Sequence, residues 1–204
     1  MPLYLKGLLI GFSIAAPVGP IGILCIRRTL AEGRLSGLVT GLGAATADAI
    51  YGSIAGFGIT LISAFLLQQQ QWIRLIGGAF LCYLGIKTFF ARPAESTSSL
   101  RPGNLLGNYV STFFLTLTNP LTILSFAAIF AGLGLGMAAG DLTAAGFLVA
   151  GVFTGSALWW LLLSGGASLA RRQVSPVLMR WVNRASGLTI LGFGVGALIS
   201  LFLK

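Results

Sequence analysis

The most informative side chain in the sequence is Asp48, the one acid within a long apolar stretch. The chain has four acidic residues and no histidine, and Asp48 lies about a dozen residues into segment 36–67, near mid-bilayer at roughly 1.5 Å per helical residue. A carboxyl group there normally faces a cavity or a partner. Asp48 is therefore a candidate for proton coupling or substrate binding, the alternative being a protonated acid hydrogen-bonded to a neighbouring helix. Tyr51 shares its helical face, where it could hydrogen-bond to Asp48, and is a further candidate substrate contact.

Two proline-containing motifs predict breaks in apolar helices. Pro17, Gly19 and Pro20 interrupt the first apolar segment, and Asn119 and Pro120 interrupt a later one. A proline within a helix removes one backbone hydrogen bond, and in lipid the freed carbonyl must find a partner or line a cavity. Both motifs are therefore candidate substrate contacts, and the alternative is an ordinary packing kink.

Composition excludes several other chemistries. Without histidine there are no His-based metal sites or His general bases. The acids Glu32, Glu95 and Asp141 are scattered, and Cys25 and Cys82 form no CxxC pair. No nucleophile–base pair is evident either. We therefore predict no enzyme, no metal site and no cofactor. The 13 basic residues lie between apolar runs, where they meet lipid headgroups rather than nucleic acid.

The segments that contain these residues have the composition and length of membrane helices. Fifty-six per cent of the chain is apolar and 8% is charged, whereas an average globular domain is about 25% charged. A bilayer core of about 30 Å needs roughly 20 helical residues. Six stretches of this kind occur, at 7–26, 36–67, 72–91, 109–136, 142–170 and 185–203. The third is the weakest because Arg74 and Lys87 leave only a short uncharged run, and five spans is the alternative.

Basic residues are distributed asymmetrically between the loops. The first, third and fifth loops with their edges hold Arg27, Arg28, Arg34, Lys87, Arg92, Arg101, Arg171, Arg172, Arg180 and Arg184. Loops rich in Lys and Arg lie on the cytoplasmic side of the membrane. This side is therefore predicted to be cytoplasmic, with both termini facing outward.

Residues 92–108 form a linker that divides the chain into halves of three spans, 1–91 and 109–204. The halves resemble each other weakly, and Pro20 falls on Pro120 at an offset of 100 residues. Two consecutive three-span units must lie in opposite orientation, as in the inverted repeats of many secondary transporters. The predicted fold is an all-α polytopic membrane protein with six transmembrane helices in two inverted three-helix repeats.

Glycines at four-residue spacing predict close helix packing. Gly151 and Gly155 form such a pair in the fifth segment, and Gly192 and Gly196 form one in the sixth. Small faces of this kind let helices approach closely, and they also allow a homodimer. Adjacent helical residues point about 100° apart, so at most one tryptophan of the pair 159–160 faces a central cavity.

Several stretches resemble the LysE/RhtB family of bacterial amino-acid exporters. They are APVGP at 16–20, GLGAATADAIYG at 41–52, FFLTLTNP at 113–120 and SALWWLLL at 156–163. The resemblance covers essentially the whole chain. Many family members read Pro-Gly-Pro at the first motif, whereas this chain has Val18 as an extra residue after Pro17.

The resemblance implies a multi-pass protein of the bacterial inner membrane that exports amino acids such as lysine, arginine, threonine or homoserine. Export is thought to draw on the proton gradient. The motif positions of the family fall on Pro17, Gly19, Pro20, Asp48, Asn119 and Pro120. The implied partners are an amino-acid substrate, protons and membrane lipids.

The wider superfamily also contains metal-ion exporters and thiol-electron carriers. Metal export fits poorly, because one intramembrane acid and no histidine provide few ligands for a divalent cation. Thiol chemistry would need a cysteine in each half, but Cys25 and Cys82 both lie in the first. We therefore predict a proton-coupled exporter of amino acids or related small metabolites that works by alternating access. The alternative is a metal-ion exporter or another membrane protein of the superfamily.

Overall fold

In the computed structural model of the chain, every described element is a helix. The described residues are 2–17, 19–56, 69–91, 104–119, 122–126, 142–170 and 175–202. They form α1 (Leu3–Ala15), α2 (Pro20–Glu32), α3 (Arg34–Gly56), α4 (Gln70–Phe89), α5 (Leu105–Leu117), α6 (Leu142–Ala170) and α7 (Pro176–Ile199). Residues 122–126 are also helical, and no strand occurs within these ranges. The predicted all-α class is confirmed.

Local capping signals determine several helix ends. Gly33 separates α2 from α3 with a φ of 107°, a backbone conformation that favours glycine. The Asn104 side chain accepts a hydrogen bond from the Gly107 N–H at 2.9 Å and caps α5. The Ser175 hydroxyl accepts one from the Leu178 N–H at 3.2 Å and caps α7. Because of these caps, α5 and α7 begin before the starts that hydropathy predicted.

Helix lengths agree with the predicted spans only in part. Among the residues that the structure describes, three helices are long and apolar enough to cross a membrane, namely Gln71–Phe89, α6 and α7. Helices α1 and α2 meet at 80° and would together make a fourth, broken span. The predicted segments 36–67 and 109–136 run into residues that lie outside the described ranges. Helix α4 shows that the third segment, the weakest by sequence, is one continuous helix.

Large apolar side chains cover the outer faces of the helices. Exposed examples are Trp72, Phe90, Leu106, Leu142, Leu169 and Trp181. Apolar side chains in such numbers on the outside of a helical protein match a lipid environment rather than water. Composition, helix length and surface therefore agree on a multi-helix membrane protein.

The helices of the two halves of the chain interleave. Helix α1 packs against α6, α3 packs against both α5 and α6, and α4 packs against α7. Helix α2 contacts α3, α6 and α7. The first helix of each half thus lies against the long middle helix of the other half, α1 on α6 and α5 on α3.

Glycine permits the closest of these contacts, between α1 and α6. A side chain at Gly7 or Gly11 of α1 would collide with the backbone of α6, and one at Gly151 or Gly155 would collide with the backbone of α1. The predicted packing role of the second pair is confirmed. At Gly192 and Gly196 an added Cβ would meet none of the described residues within 4 Å. The packing role of these two glycines of α7 and the homodimer therefore stay predictions.

Candidate functional site

Asp48 lies in the middle of α3 with its side chain directed into the protein. The side chain is 3% exposed, and α3 packs there against α6 of the second half. Its Oδ2 accepts a hydrogen bond from the Ser156 hydroxyl at 2.7 Å. This contact joins residues 108 positions apart. The acid therefore faces a partner across the two halves rather than lipid, as expected for a carboxyl group at this depth.

Ser156 is in turn held by Trp160 on the next turn of α6. The Trp160 indole N–H donates to the Ser156 Oγ at 3.1 Å. An indole nitrogen can only donate, so the Ser156 hydroxyl accepts from Trp160 and keeps its own proton for another acceptor. It donates that proton to Asp48. A side chain at Gly41 would collide with Trp160, so the bare glycine lets the indole lie against α3. Trp159 packs edge-on against Phe12, with ring centroids 5.4 Å apart, so Trp160 is the member of the pair that hydrogen-bonds within this site.

Two apolar clusters flank the Asp48–Ser156 pair. We call cluster one the buried side chains of Ala15, Ile21, Leu24, Cys25, Ala44, Ala45, Leu81, Leu84, Leu115, Trp160 and Ile190. We call cluster two those of Ile10, Tyr51, Ile123, Phe126, Leu148 and Val152. Along α3 the order is cluster one, Asp48, cluster two, and along α6 it is cluster two, Ser156, cluster one. The two helices therefore run antiparallel, and the polar pair lies between two apolar layers.

The first helix break is present at the predicted residues. Helix α1 ends at Ala15 and α2 begins at Pro20. In the turn between them the Gly19 N–H donates to the Pro17 carbonyl at 2.9 Å. A Cβ added at Gly19 would meet none of the described residues within 4 Å, so these residues leave space beside the break. Ala15 and Ile21, on either side of the break, belong to cluster one.

The second break lies where α5 ends at Leu117. The Asn119 N–H donates to the Thr116 carbonyl at 3.2 Å, and the Asn119 carbonyl accepts from Ile123 at 3.2 Å as the helix resumes. Pro120 lies outside the described residues. Ile123 and Phe126, beyond this break, belong to cluster two. Each apolar layer next to Asp48 therefore includes residues beside a helix break.

The Tyr51 hydroxyl does not hydrogen-bond to Asp48, so that prediction is wrong. It donates instead to the Leu117 backbone carbonyl. Leu117 is the last residue of α5, so the Tyr51 hydroxyl bonds to a carbonyl at the end of that helix. Tyr51 also packs against Phe126, with ring centroids 5.5 Å apart. Tyr51 therefore links α3 to the second break. The spacing of residues on one helix could not predict that the Leu117 carbonyl would be its acceptor.

A second buried charge, Arg28, was not recognised as a site residue in the sequence. Hydropathy places Arg27 and Arg28 at the edge of a loop, but α2 continues to Glu32, and Arg28 is 6% exposed. The reason is its register, since Arg28 follows the buried residues Leu24 and Cys25 on one helical face. A basic residue in line with a buried helical stripe is the signal that identifies it.

The Arg28 guanidinium joins three helices. Nη1 donates to the Thr40 hydroxyl at 3.1 Å, the Asn108 carbonyl at 3.0 Å and the Thr112 hydroxyl at 2.9 Å. Nη2 donates to the Ser111 hydroxyl at 2.9 Å. We call Arg28 and these four acceptors the arginine cluster. It ties α2 to α3 and to α5 of the second half.

Neighbouring contacts extend this cluster along the same end of the protein. The Asn108 amide donates to Glu32 Oε2 at 2.7 Å. Arg27 Nε donates to Asn183 Oδ1 at 3.1 Å, and the Asn183 amide donates to the Ala91 carbonyl at 3.0 Å. The end of α2, the end of α4 and the starts of α5 and α7 therefore meet at one end, the end at which the first, third and fifth basic loops connect the helices.

The described residues offer little to a metal ion. No group of three or more Cys, Asp or Glu side chains lies together within the described ranges. Cys25 is buried and its thiol donates to the Gly37 carbonyl at 3.4 Å. The buried polar groups that remain are a single carboxyl group, a guanidinium, hydroxyls and amides. These are groups that recognise ammonium and carboxylate functions or carry protons.

Comparison with known proteins agrees with this membrane-embedded arrangement. The sequence model of the LysE type translocator family matches residues 12–201. The "Putative amino acid efflux protein YcgF" of Bacillus subtilis is 29% identical over 199 residues, which cover 95% of this chain and 94% of that protein. The lysine exporter LysE of Corynebacterium efficiens is 24% identical, over 96% of this chain and 97% of that protein.

A further relative, the uncharacterized membrane protein YahN of Escherichia coli, is 30% identical over 93% of this chain and 86% of its own length. No solved structure gives a significant match. The family match extends over nearly the whole chain, including both helix breaks and Asp48. The chain therefore belongs to the LysE type translocator family.

Proposed function

We propose that this protein is a proton-coupled exporter of amino acids or related small metabolites in the bacterial inner membrane. Membership in a translocator family favours transport over catalysis. Two relatives that align with nearly the whole chain are named for amino acid efflux and lysine export. We infer that this chain moves solutes of the same chemical class.

The observation that carries the proposal is the position of Asp48 between the two apolar clusters. A carboxyl group held there can be neutral with a bound proton or charged against a bound ammonium group, and each state excludes the other. Exchange of the two at one site would couple inward proton movement to outward solute movement. Net export of a cation against an outside-positive membrane potential needs such an energy input, because each charge is opposed by about 2.3 kcal/mol per 100 mV.

The helix breaks are the proposed contacts for the rest of the solute. Residues Pro17, Gly19 and Pro20 leave the N-terminal end of α2 next to space that the described residues do not fill, where backbone N–H groups favour a carboxylate. Asn119 and Pro120 supply the matching break in the second half. In this proposal the solute's carboxylate lies on backbone amides near Gly19 and Asn119 and its amino group points to Asp48. Tyr51, one turn from Asp48 on α3, supports the second break through Leu117 and is a further proposed contact for the solute.

We propose alternating access between two halves, 1–91 and 109–204, joined by the linker 92–108. If the two halves are interchanged, the α1–α6 contact takes the place of the α5–α3 contact. This correspondence supports an inverted repeat. With both clusters closed, Asp48 is 3% exposed. Opening cluster one would connect it to the end that carries the basic loops, proposed to be cytoplasmic. Opening cluster two would connect it to the other side.

An efflux assay tests this function. Bacterial cells that lack their own amino-acid exporters are loaded with dipeptides, and all released amino acids are quantified for wild type, Asp48→Asn and empty vector. We expect wild type to accelerate the release of one or a few amino acids. Asp48→Asn is expected to release them at the vector rate, because the amide keeps the size of the carboxyl group but binds no proton.

Two controls make the result specific. Membrane abundance is measured by quantitative blotting for each variant, so that poor insertion is not mistaken for inactivity. Ser164→Ala serves as a matched variant, because Ser164 is buried on the same helix as Ser156 but its hydroxyl donates only to the Leu161 carbonyl, at 3.3 Å. No difference between wild type and vector for any amino acid would contradict the proposal and direct the assay to other metabolites and then to metal ions. Full activity of Asp48→Asn would remove Asp48 from the coupling mechanism.

A further inference from the structure

The arginine cluster holds a buried cation with uncharged acceptors. All four groups that accept from Arg28 within the described residues are hydroxyls or a backbone carbonyl, from Thr40, Asn108, Ser111 and Thr112. Buried charges are normally paired with an opposite charge. Arginine in particular favours carboxylates, because two parallel N–H groups match two carboxylate oxygens. The carboxylate of Glu32, one turn further along α2, attracts the Arg28 charge but accepts its hydrogen bond from the Asn108 amide. Within the described residues Arg28 therefore makes no hydrogen bond to a carboxylate, its strongest type of partner.

The acceptors can release Arg28 without losing all of their own hydrogen bonds. The Thr40 hydroxyl donates to the Ser36 carbonyl at 2.8 Å. The Thr112 and Ser111 hydroxyls donate to the Asn108 carbonyl at 2.9 Å and 3.2 Å. Each hydroxyl thus keeps a partner on its own helix when the guanidinium moves away. A carboxylate that replaces them gains charge-assisted hydrogen bonds, which are roughly twice as strong as neutral ones.

The arginine cluster lies between Asp48 and the end of the protein at which the basic loops connect the helices. Thr40 precedes Asp48 by two turns of α3, roughly 12 Å along the helix axis. Cluster one, with Ala44, Ala45 and Cys25, lies between the two levels. A solute that moves along α3 from the end with the basic loops meets Arg28 first and Asp48 second. The two side chains have the charges that complement the carboxylate and the ammonium group of an amino acid.

We propose that Arg28 is a substrate-binding residue that captures the carboxylate of the solute on the side of the basic loops. The inference rests on the proposed export function. It adds an access site distinct from the helix breaks, and it restricts the substrates to solutes with a free carboxylate. Binding there exchanges the hydroxyls of α5 for the carboxylate and so loosens the tie between α2 and α5. In this proposal, binding of the carboxylate to Arg28 both selects the substrate and opens this end of the protein.

Binding to the purified full-length chain in detergent tests the inference without transport. Thermal unfolding is followed with each of the twenty standard amino acids, and the dissociation constant is measured for those that raise the unfolding temperature. For each binder the same measurement is made with its carboxamide and its decarboxylated amine. We expect the acid to bind wild type on the order of tenfold more tightly than either analogue, because charged hydrogen bonds are lost with the carboxylate.

The variants separate recognition from structural support. In Arg28→Gln and Arg28→Lys we expect the preference for the acid over the amide to fall below threefold, with Lys retaining more of it than Gln. Arg28→Lys keeps a cation in the site should Gln prevent folding. Arg27→Gln is the matched control, because Arg27 is adjacent on α2 and its contact with Asn183 also joins two helices. Its preference should equal that of wild type.

The outcomes are distinguishable. Equal affinity of wild type for acid and amide, or an unchanged preference in both Arg28 variants, would overturn the role of Arg28 while leaving amino-acid export intact. A loss of preference in Arg27→Gln equal to that in Arg28→Gln would overturn it as well, since a general loosening of this end would then explain both. Binding and efflux of no amino acid by wild type would contradict the export function itself.

Discussion

The protein buries two charged side chains in two different ways. Asp48 is 3% exposed and accepts a side-chain hydrogen bond from one residue, Ser156. Arg28 is 6% exposed and donates to four groups on α3 and α5. Both side chains connect the first half of the chain to the second. They differ in the number of groups that form hydrogen bonds with the charged side chain.

The difference reflects the chemistry of the two groups. A carboxyl group can bind a proton and become neutral, so a nearly apolar site with one hydroxyl is acceptable to it. A guanidinium remains protonated in proteins, so burial requires acceptors around it. We infer that the Asp48 site is suited to changing its charge, whereas the arginine cluster is suited to holding a constant charge and exchanging its partners.

The largest expected difference between the two sites concerns stability. Arg28→Gln should lower the free energy of unfolding by about 2–3 kcal/mol, because the shorter amide cannot hold Thr40 and the α5 hydroxyls together. Asp48→Asn should change it by less than about 1 kcal/mol, since the amide still accepts from Ser156. Thermal and denaturant unfolding of the purified variants in one detergent measure both. A larger loss for Asp48→Asn than for Arg28→Gln would contradict the comparison.

Ser156 gives the next effect, on transport rate. Ser156→Ala removes the donor to Asp48 and leaves the Trp160 indole without its acceptor. We expect about a tenfold lower initial efflux rate, equivalent to about 1.4 kcal/mol. The rate is compared with Ser164→Ala at equal membrane abundance, and that variant should stay within twofold of wild type. Equal rates for the two alanine variants would mean that the hydrogen bond does not position Asp48.

Tyr51 gives the smallest effect and separates the structure from the sequence-based expectation. Tyr51→Phe removes the hydrogen bond to the Leu117 carbonyl and should reduce the free energy of unfolding by about 1 kcal/mol. Because Tyr51 does not hydrogen-bond to Asp48, we expect the coupling energy between Tyr51→Phe and Asp48→Asn in a double-mutant cycle to stay below about 1 kcal/mol. A coupling energy above about 1 kcal/mol would show that Tyr51 and Asp48 interact after all.

Much of the architecture was predictable from local pattern. Segment 142–170 is a helix with the predicted bounds, because its apolar run is long and uninterrupted. Breaks at Pro17–Pro20 and before Pro120 follow from proline chemistry, which depends on the backbone alone. The starts of α5 and α7 were predicted too late, because hydropathy ignores the caps at Asn104 and Ser175.

The candidate site was predictable only as separate residues. Asp48 is conspicuous as the one acid within a span, but its partner Ser156 lies 108 residues away on another helix. Arg28 was assigned to a loop edge because charged residues usually mark the ends of spans. Its burial depends on acceptors from α3 and α5, and a hydropathy profile holds no information about such partners.

The sequence by itself determined which segments are helical, where helices break, that the environment is a membrane and to which family the chain belongs. These properties follow from composition, hydrogen-bonding rules in lipid and residue patterns along one segment. Only the tertiary structure decided which side chain each buried polar group meets. Tyr51 binds the end of α5 rather than Asp48, and Arg28 binds three residues of α5 rather than lipid headgroups. Partner choice of this kind depends on contacts between helices that are distant in the chain, and those are set when the helices pack.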